Sequence, residues 1–307
     1  MASEKSNVLI FGPTGAVGSA AALEAAGRGA TVWLAMRNTS KPIPGLPSSS
    51  SSHHRIQADL SNPDSLRTAV KESGAKSAFV YAIHESSDSM LASFTALKDA
   101  GIEYVVLLSS YSVQGAPEAE RNHQAHIPRL HAMTEMSLRE TGMKYTAIRP
   151  AFFDSNATWF YGSGLVSGQV TVLYPDTKLD WIAPSDIGAV AGVLLTAPPP
   201  TSEVVYLCGP DLLSQREALP IIGKALGREL TLNEVNEEQW IEKLAPMPRP
   251  ILQTVAVSLR SEGVAGYPQE TYKQATENIE KITGRQPTRL GEWARQNKDV
   301  IEGLGQS

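Results

Sequence analysis

Residues 7–18 read Asn7-Val8-Leu9-Ile10-Phe11-Gly12-Pro13-Thr14-Gly15-Ala16-Val17-Gly18. An apolar run, three glycines at a spacing of three and then small side chains over residues 19–26 predict a buried strand, a tight turn and a helix. Such a turn aims backbone N–H groups and the positive helix end at an anion. Gly12 would allow the tight turn, Gly15 would let a pyrophosphate approach the backbone, and Gly18 would let the helix pack closely on the sheet. The segment therefore predicts a dinucleotide-binding α/β fold.

The end of the next predicted strand bears on which dinucleotide binds. Strand 31–36 runs into Arg37-Asn38-Thr39-Ser40-Lys41 and not into a carboxylate. An Asp or Glu there would accept from the ribose 2′-OH of NAD, whereas an Arg accommodates the 2′-phosphate of NADP. A charge-assisted bond of this kind contributes about 1.5–3 kcal/mol. With Asn38 and Lys41 as further contacts, Arg37 favours NADP(H); the alternative is a solvated arginine at a strand end.

Composition narrows the class of protein. The chain has 307 residues, 42% of them hydrophobic, and a formal net charge of −5. The acidic balance argues against nucleic acid as the main partner, because a phosphate backbone requires clustered Lys and Arg. No apolar run approaches the roughly 20 residues of a bilayer span, so no membrane is expected. The first apolar run is too short for a signal peptide, and Cys208 is the single cysteine, so a reducing, cytoplasmic location is expected.

The domain organisation follows from where strand-like and helical segments alternate. They alternate as far as Pro150, which is typical of a parallel sheet covered by helices. Later, residues 203–208 are predicted as a strand that returns to the first sheet. We expect an α/β protein with a Rossmann-type doubly wound parallel sheet and a smaller mixed α/β C-terminal lobe. The predicted boundaries are 1–155 for the NADP-binding domain and 156–307 for an interleaved substrate-binding lobe. Ser48–Ser52 predict a flexible loop beside the 2′-phosphate site.

Several separated motifs carry a family resemblance. They are the glycine turn, Arg37, Asp59-Leu60, Ser109-Ser110, Thr141-Gly142-Met143-Lys144-Tyr145-Thr146-Ala147-Ile148-Arg149-Pro150, Ser185-Asp186-Ile187-Gly188 and Cys208-Gly209-Pro210. In combination, over roughly residues 7–235, they resemble the NmrA-like branch of the atypical short-chain dehydrogenase/reductases. The resemblance implies a Rossmann domain, NADP(H) and a substrate cleft.

The resemblance also implies cofactor contacts by position. Residues 59–60 would contact the adenine, and residues 82–83 would line the cofactor. Residues 109–110 would lie near the nicotinamide ribose, and residues 150–153 would pack against the nicotinamide. Together with the turn and the strand end, the predicted cofactor contacts are Gly12, Thr14, Gly15, Ala16, Val17, Gly18, Arg37, Asn38, Lys41, Asp59, Leu60, Ala82, Ile83, Ser109, Ser110, Pro150, Ala151, Phe152 and Phe153.

The catalytic apparatus departs from the family pattern. Active members of the wider family use a tyrosine four residues before a lysine, or a lone lysine in the helix before the Thr-Gly turn. Here the expected lysine position is His131, while Glu135 one turn later matches the family. His131 either titrates near neutral pH and acts as acid, base or donor to the ribose, or marks a lost catalytic lysine. Tyr111, just past a strand end, is the other candidate proton donor, or a tyrosine that packs over the cofactor mouth.

Aromatic and histidine side chains suggest where a substrate would bind. An aromatic segment over residues 152–161 follows the strand assigned to the nicotinamide. It suits a large, flat, hydrophobic substrate or, alternatively, packing between the two lobes. His123 and His126 lack a partner at ligand spacing, so no metal site is predicted. The predicted catalytic residues are Tyr111 and His131, and the predicted substrate contacts are His84, Tyr111, Trp159, Phe160 and Tyr161.

Three classes of function are compatible with these residues. An NADP(H)-dependent reductase or dehydrogenase would act on a bulky hydrophobic carbonyl or imine, as in secondary metabolism, where reduction can accompany cyclisation or isomerisation. A non-catalytic NADP-binding sensor or regulator would bind the dinucleotide and a protein partner; the missing lysine favours it, and the aromatic segment disfavours it. The third class is an enzyme that keeps its cofactor without net turnover. The first class is favoured, and the oligomeric state is left open.

Overall fold

The computed structural model describes residues 6–43, 45–46, 53–245, 247–260 and 269–306. The predicted serine loop, Ser48–Ser52, lies outside these residues. Backbone contacts divide the chain into two compact units. The first unit comprises Met1–Pro150, Pro184–Tyr206 and Lys281–Arg285, and the second comprises Ala151–Ala183, Leu207–Glu280 and Gln286–Ser307.

Strands and helices alternate through most of the first half of the chain, although its second and third strands follow each other with no helix between them among the described residues. The strands are β1 (Asn7–Phe11), β2 (Thr31–Met36), β3 (His53–Gln57), β4 (Ser77–Tyr81), β5 (Tyr104–Leu108), β6 (Lys144–Pro150), β7 (Gln169–Val172), β8 (Lys178–Leu179), β9 (Glu203–Leu207), β10 (Leu213–Ser214) and β11 (Thr231–Glu234). The helices are α1 (Ala16–Gly27), α2 (Pro63–Ser73), α3 (Leu91–Ala100), α4 (His126–Glu140), α5 (Asn156–Tyr161), α6 (Gly164–Ser167), α7 (Pro184–Thr196), α8 (Gln215–Leu226), α9 (Glu237–Lys243), α10 (Arg249–Arg260), α11 (Gln269–Thr283), α12 (Leu290–Gln296) and α13 (Lys298–Gly303).

The first unit is built on a seven-stranded sheet in the order β3-β2-β1-β4-β5-β6-β9. All pairings from β3 to β6 are parallel. Leu9 and Phe11 pack with side chains of α2, α3 and α4 in one core cluster, whereas α7 packs on α1 and on β4 to β6. Side chains alternate between the two faces of a strand, and helices cover both faces, so residues 8–11 of β1 are all apolar and buried. The predicted Rossmann-type doubly wound sheet is confirmed.

The second unit is the smaller, mixed α/β lobe that was expected. Two short strand pairs, antiparallel β8–β10 and parallel β7–β11, accompany helices α5, α6, α8 to α10, α12 and α13. Its core is rich in aromatic side chains, with Trp181 and Trp240 almost fully buried. Helix α8 starts from a capping box, in which Ser214 and Glu217 satisfy each other's backbone N–H groups. Within the described residues no helix is both long and apolar enough to cross a membrane.

Candidate functional site

The strand order of the first unit locates a ligand crevice. From β1 the chain moves outward through β2 to β3, and from β4 it moves the other way through β5 to β6. In open α/β sheets ligands bind outside the carboxyl ends of the strands at such a switch point. Gly12 directly follows β1, and Tyr81 is the last residue of β4. Both residues therefore lie at the switch point.

The turn after β1 is closed by glycine geometry. Gly12 has a φ of +66°, and its carbonyl accepts a hydrogen bond from Gly15 N–H at 3.0 Å. A Cβ on Gly18 would overlap the carbonyl oxygen of Gly12 and lie 2.9 Å from its carbonyl carbon. Only glycine therefore lets α1 begin this close to the turn. By contrast, a Cβ on Gly15 would lie 3.5 Å from the Gly12 carbonyl oxygen, which is an ordinary van der Waals distance. The protein itself therefore does not require glycine at position 15.

The N-terminus of α1 is open to an anion. Its N-cap, Gly15, makes no side-chain cap, its first turn holds no acidic residue, and both Gly15 and Ala16 are exposed. The first-turn N–H groups of a helix have no intrahelical acceptor, and the helix dipole adds positive charge there. Val17 is buried and Thr14 is half-buried. The glycine turn thus leaves open space in front of the exposed N–H groups of α1, which no side chain caps. This cradle, formed by residues 12–18, fits a dinucleotide pyrophosphate.

Arg37 supplies positive charge at the end of β2. Its side chain is exposed, and within the described ranges no acidic side chain forms an ion pair with it. Hydrogen bonds from Ser61, together with the charge of Arg37, lower the pKa of the Asp59 carboxyl. Burial raises the pKa of Tyr81, while the charge of Arg37 acts in the opposite direction. Arg37 is thus close enough to the carboxyl ends of β3 and β4 to act on both.

The loop after Arg37 is fixed by hydrogen bonds to its own Asn38 and from Arg55 on the neighbouring strand. Asn38 Oδ1 accepts from the N–H of Ser40 at 3.0 Å and from its hydroxyl at 2.6 Å. Arg55 on β3 donates to the carbonyls of Thr39 at 2.6 Å and Lys41 at 2.9 Å. The Asn38 amide oxygen is therefore used within the turn, while the Lys41 side chain is exposed. Arg55 was not among the predicted residues.

Tyr81 is a second residue that was not predicted. Its ring edge lies 2.8 Å from where a Cβ on Gly12 would stand, and 36% of the residue is exposed. An aromatic residue directly before the predicted contacts Ala82 and Ile83, which are both half-buried, was the available signal. Leu60 is buried, so its side chain belongs to the core of the first unit.

Ser109 is part of a buried polar network. Its hydroxyl donates to Glu135, and its N–H donates to the carbonyl of Ile148 at 2.8 Å. Arg149 donates to both Glu135 oxygens and, through Nη1, to the carbonyls of Val113 and Gly115. The side chain of Ser109 thus points into the network, whereas Ser110 is half-buried.

Tyr111 packs inside the first unit. Only 4% of the residue is exposed, and its N–H donates to the carbonyl of Pro150 at 2.9 Å. Its ring lies edge-on to Tyr206 with 5.2 Å between the ring centroids. These contacts hold the backbone and the ring firmly after β5. Its role as a proton donor stays a prediction.

His131 lies in the second turn of α4. Its Nδ1 is buried and makes no hydrogen bond to any described residue. Burial, with a smaller effect from the charge of His84, lowers the pKa of His131 to about 4. The expectation that His131 titrates near neutral pH is therefore wrong, because desolvation favours the neutral ring. The residue at the family's lysine position carries no charge at neutral pH.

Two further histidines lie near His131. The rings of His84 and His126 are stacked, with 6.0 Å between their centroids, and both residues are exposed. Burial, and then the charge of His126, lower the pKa of His84. Over the ranges that the structure describes, no group of three or more His, Cys, Asp or Glu side chains is arranged to hold a metal ion.

The predicted residues after Pro150 belong to the second unit. The N–H of Ala151 donates to the carbonyl of Leu207 at 3.0 Å, and that of Phe152 donates to Asp180 Oδ1 at 2.8 Å. The ring of Phe152 packs edge-on to Trp181 at 5.1 Å between centroids. Phe153 forms a bridge to Ile182.

The aromatic residues of α5 differ in exposure. Phe160 and Tyr161 are 6% and 2% exposed and belong to the core of the second unit, whereas Trp159 is 65% exposed. The Tyr161 hydroxyl donates to Gln215 Oε1 at 3.0 Å, and the Phe160 ring lies 5.4 Å from that of Trp240. The three predicted substrate contacts on α5 therefore comprise one exposed ring and two packed ones.

Comparison with known proteins places the chain in a family. The model of the NmrA-like family matches residues 4–295. The chain is 39% identical to the nitrogen metabolite regulation-like protein bik4 of Gibberella fujikuroi, over 94% of this chain and 96% of that protein. It is 26% identical to the (4-alkanoyl-5-oxo-2,5-dihydrofuran-3-yl)methyl phosphate reductase of Streptomyces griseus subsp. griseus, over 96% of this chain and 99% of that protein.

A solved structure shares the same fold. The NADPH-dependent quinone oxidoreductase of Escherichia coli, in complex with NADPH, aligns with a TM-score of 0.71 at 17% identity, covering 94% of this chain and 99% of that chain. The family match extends well beyond the glycine turn, across nearly the whole length of the sequence. The predicted resemblance is confirmed: this chain belongs to the NmrA-like family.

Proposed function

We propose that the chain is an NADP(H)-dependent oxidoreductase that acts on a bulky hydrophobic carbonyl or imine. The observation that carries the proposal is Arg37, which is exposed, forms no ion pair with a described residue and lies near the open glycine turn. A 2′-phosphate is the group that such a cation accommodates. Both the Streptomyces relative, by its name a reductase, and the NADPH complex of the same fold support this assignment.

The residues of the first unit have separate tasks in this proposal. The first turn of α1 would hold the pyrophosphate through backbone N–H groups, with Gly15 leaving room for it. Arg37 would hold the 2′-phosphate, and Tyr81 would flank the adenosine half. When bound, the cofactor supplies the hydride chemistry. The protein must then orient the substrate and supply a proton.

Proton supply separates the two predicted catalytic residues. With its pKa lowered to about 4, the ring of His131 is predominantly neutral at neutral pH. His131 would therefore act as a neutral ring that donates or accepts a hydrogen bond. Tyr111, although packed inside the first unit, is then the residue that would supply the proton from its hydroxyl. Use of the enzyme in secondary metabolism, with cyclisation or isomerisation of the product, and a cytoplasmic location are parts of the same proposal.

A non-catalytic NADP-binding regulator is the second candidate. The neutral ring at His131 favours it, because no positive charge is then available to hold the ribose or lower the pKa of a tyrosine. The Gibberella relative, by name regulation-like, is consistent with it.

Turnover and binding distinguish the two candidates. Purified protein would be titrated with NADPH and NADH, and then incubated with NADPH and a panel of bulky quinones, ketones and imines while NADPH absorbance is followed. An oxidoreductase should bind NADPH more tightly than NADH and consume it with at least one acceptor class. Tight NADPH binding without turnover on any acceptor, together with co-purification of a protein partner, would support the regulator. Failure to bind NADPH would contradict both.

A further inference from the structure

The second unit contains an open cavity of about 490 Å³ between α5 and the end of α9. Its lining includes Trp159, Phe160 and Tyr161 from α5, and Lys243, Leu244 and Met247 from the chain around the end of α9. A volume of this size accommodates a drug-sized molecule. The lining is mostly apolar, and none of the described residues that form it is acidic.

The floor of the cavity is firmly held. Phe160 packs against Trp240, and the Tyr161 hydroxyl is bonded to Gln215, so neither ring is free to move into the cavity. Trp159 instead keeps 65% of its surface exposed on the same helix. The cavity therefore combines an exposed indole with two fixed aromatic side chains in its lining. A flat ring system would cover the indole.

Lys243 gives the cavity its charge. It is the one cation among the described lining residues, and no described residue forms an ion pair or hydrogen bond with its ammonium group. Several arginines of the same unit are paired, for example Arg216 with Asp176 and Arg289 with Asp211. Lys243 is exposed, and partial desolvation by the surrounding protein lowers its pKa. An anionic group on a ligand would offset that desolvation.

We propose that this cavity binds a flat aromatic small molecule that carries one anionic group. Lys243 faces the anion, and Trp159 covers the face of the ring. A charge-assisted hydrogen bond and the burial of aromatic surface together account for the affinity. Only the statement that this molecule is the substrate of the enzyme rests on the proposed function. Binding itself requires neither cofactor nor turnover.

Two fluorescent probes of similar shape test the charge requirement. Anilinonaphthalene sulfonate joins a flat naphthalene ring to one sulfonate anion, and N-phenyl-naphthylamine is its uncharged counterpart. Each would be titrated into wild type, Lys243→Met, Lys243→Arg and Trp159→Ala, with Lys298→Met as a matched control. Lys298 is an exposed lysine of the same unit on α13. Thermal melts would confirm that each variant is folded.

The expected pattern is specific to charge. Lys243→Met should weaken binding of the sulfonate about tenfold or more and leave the uncharged probe unchanged. Lys243→Arg should retain most of the sulfonate affinity, and Trp159→Ala should weaken both probes. Equal sulfonate affinity in Lys243→Met, Lys298→Met and wild type would overturn the proposal, as would failure of Trp159→Ala to affect either probe.

NADPH titrations of the same samples keep this inference separate from the proposed function. If NADPH binds but the sulfonate does not respond to Lys243, the cavity assignment falls and the proposed function stands. If the sulfonate responds as expected but NADPH does not bind, the proposed function falls and the cavity remains an aromatic-anion site.

Discussion

Arg149 and Glu135 form a buried, bidentate ion pair in the first unit. Nε lies 2.9 Å from Oε1 and Nη2 lies 2.6 Å from Oε2, with side-chain exposures of 1% and 0%. Through Nη1, Arg149 also binds the Tyr206 hydroxyl at 2.6 Å and the carbonyls of Val113 and Gly115. The pair therefore joins β6, α4 and β9 to the loop that carries Tyr111.

Breaking this pair from one side should be costly. Arg149→Met leaves the Glu135 carboxylate buried without its main partner, so we expect a loss of about 3–5 kcal/mol in the free energy of unfolding. Urea denaturation measures it. The double variant Arg149→Met/Glu135→Leu removes both charges and should recover part of the loss. A double variant no more stable than Arg149→Met would show that the ion pair is not the source of the cost.

Two glycines of the cradle should respond differently to the same added methyl group. Gly18→Ala forces a Cβ into the Gly12 carbonyl, so we expect about 1–3 kcal/mol of destabilisation. Gly15→Ala meets no close protein atom, and its φ of −85° suits alanine, so the fold should remain stable. Because its methyl group would occupy the proposed pyrophosphate position, Gly15→Ala should still weaken NADPH binding. Thermal melts and NADPH titrations of both variants separate the effects; unchanged NADPH affinity in Gly15→Ala would contradict this placement.

Reversing the charge at Arg37 should change cofactor preference. Arg37→Glu removes a charge-assisted contact and adds repulsion, so NADPH affinity should fall at least about tenfold while NADH affinity changes little. Arg67→Glu, a charge reversal at an exposed arginine on α2, serves as the control. Isothermal titration calorimetry with both dinucleotides measures the ratio of the NADPH affinity to the NADH affinity. Equal losses for NADPH and NADH would argue against a 2′-phosphate contact.

His131 should make stability depend on pH. Its pKa is about 4 in the folded chain and about 6.5 when unfolded, so the unfolded state binds the proton more readily. The stability that the neutral ring contributes to the folded state is therefore present above the pKa of the unfolded chain. It is lost as the pH falls towards the pKa of the folded chain. When the pH is lowered from about 7.5 to about 5, the free energy of unfolding of wild type should fall by about 1–2 kcal/mol more than that of His131→Gln. Denaturation at both values tests this.

An exposed histidine provides the comparison for that measurement. His54→Gln on β3 should lose the same stability as wild type over this interval. If His131→Gln and His54→Gln behave alike, the ring of His131 is not the buried group that the structure describes.

Much of the first unit was predictable because its signals are local. The glycine spacing, the apolar run of β1 and the alternation of strand-like and helical segments each depend on neighbours in the chain, and together they indicate the doubly wound sheet. The aromatic segment of α5 was also visible, but its division into packed Phe160 and Tyr161 and exposed Trp159 was not. Helices α10 and α11 were not predicted, since their residues carry no distinctive motif.

The amino-acid order was sufficient for the glycine turn, the charge that favours NADP(H) and the family, because turn geometry and strand ends are properties of short segments. Contacts between distant segments settled the rest. Arg149 meets Glu135 and Tyr206 from separate elements, and Tyr81 meets Gly12 across two adjacent strands. Desolvation, with a smaller effect from His84, makes the ring of His131 neutral. A pKa depends on every group that surrounds a side chain in space, and no sequence motif records those neighbours.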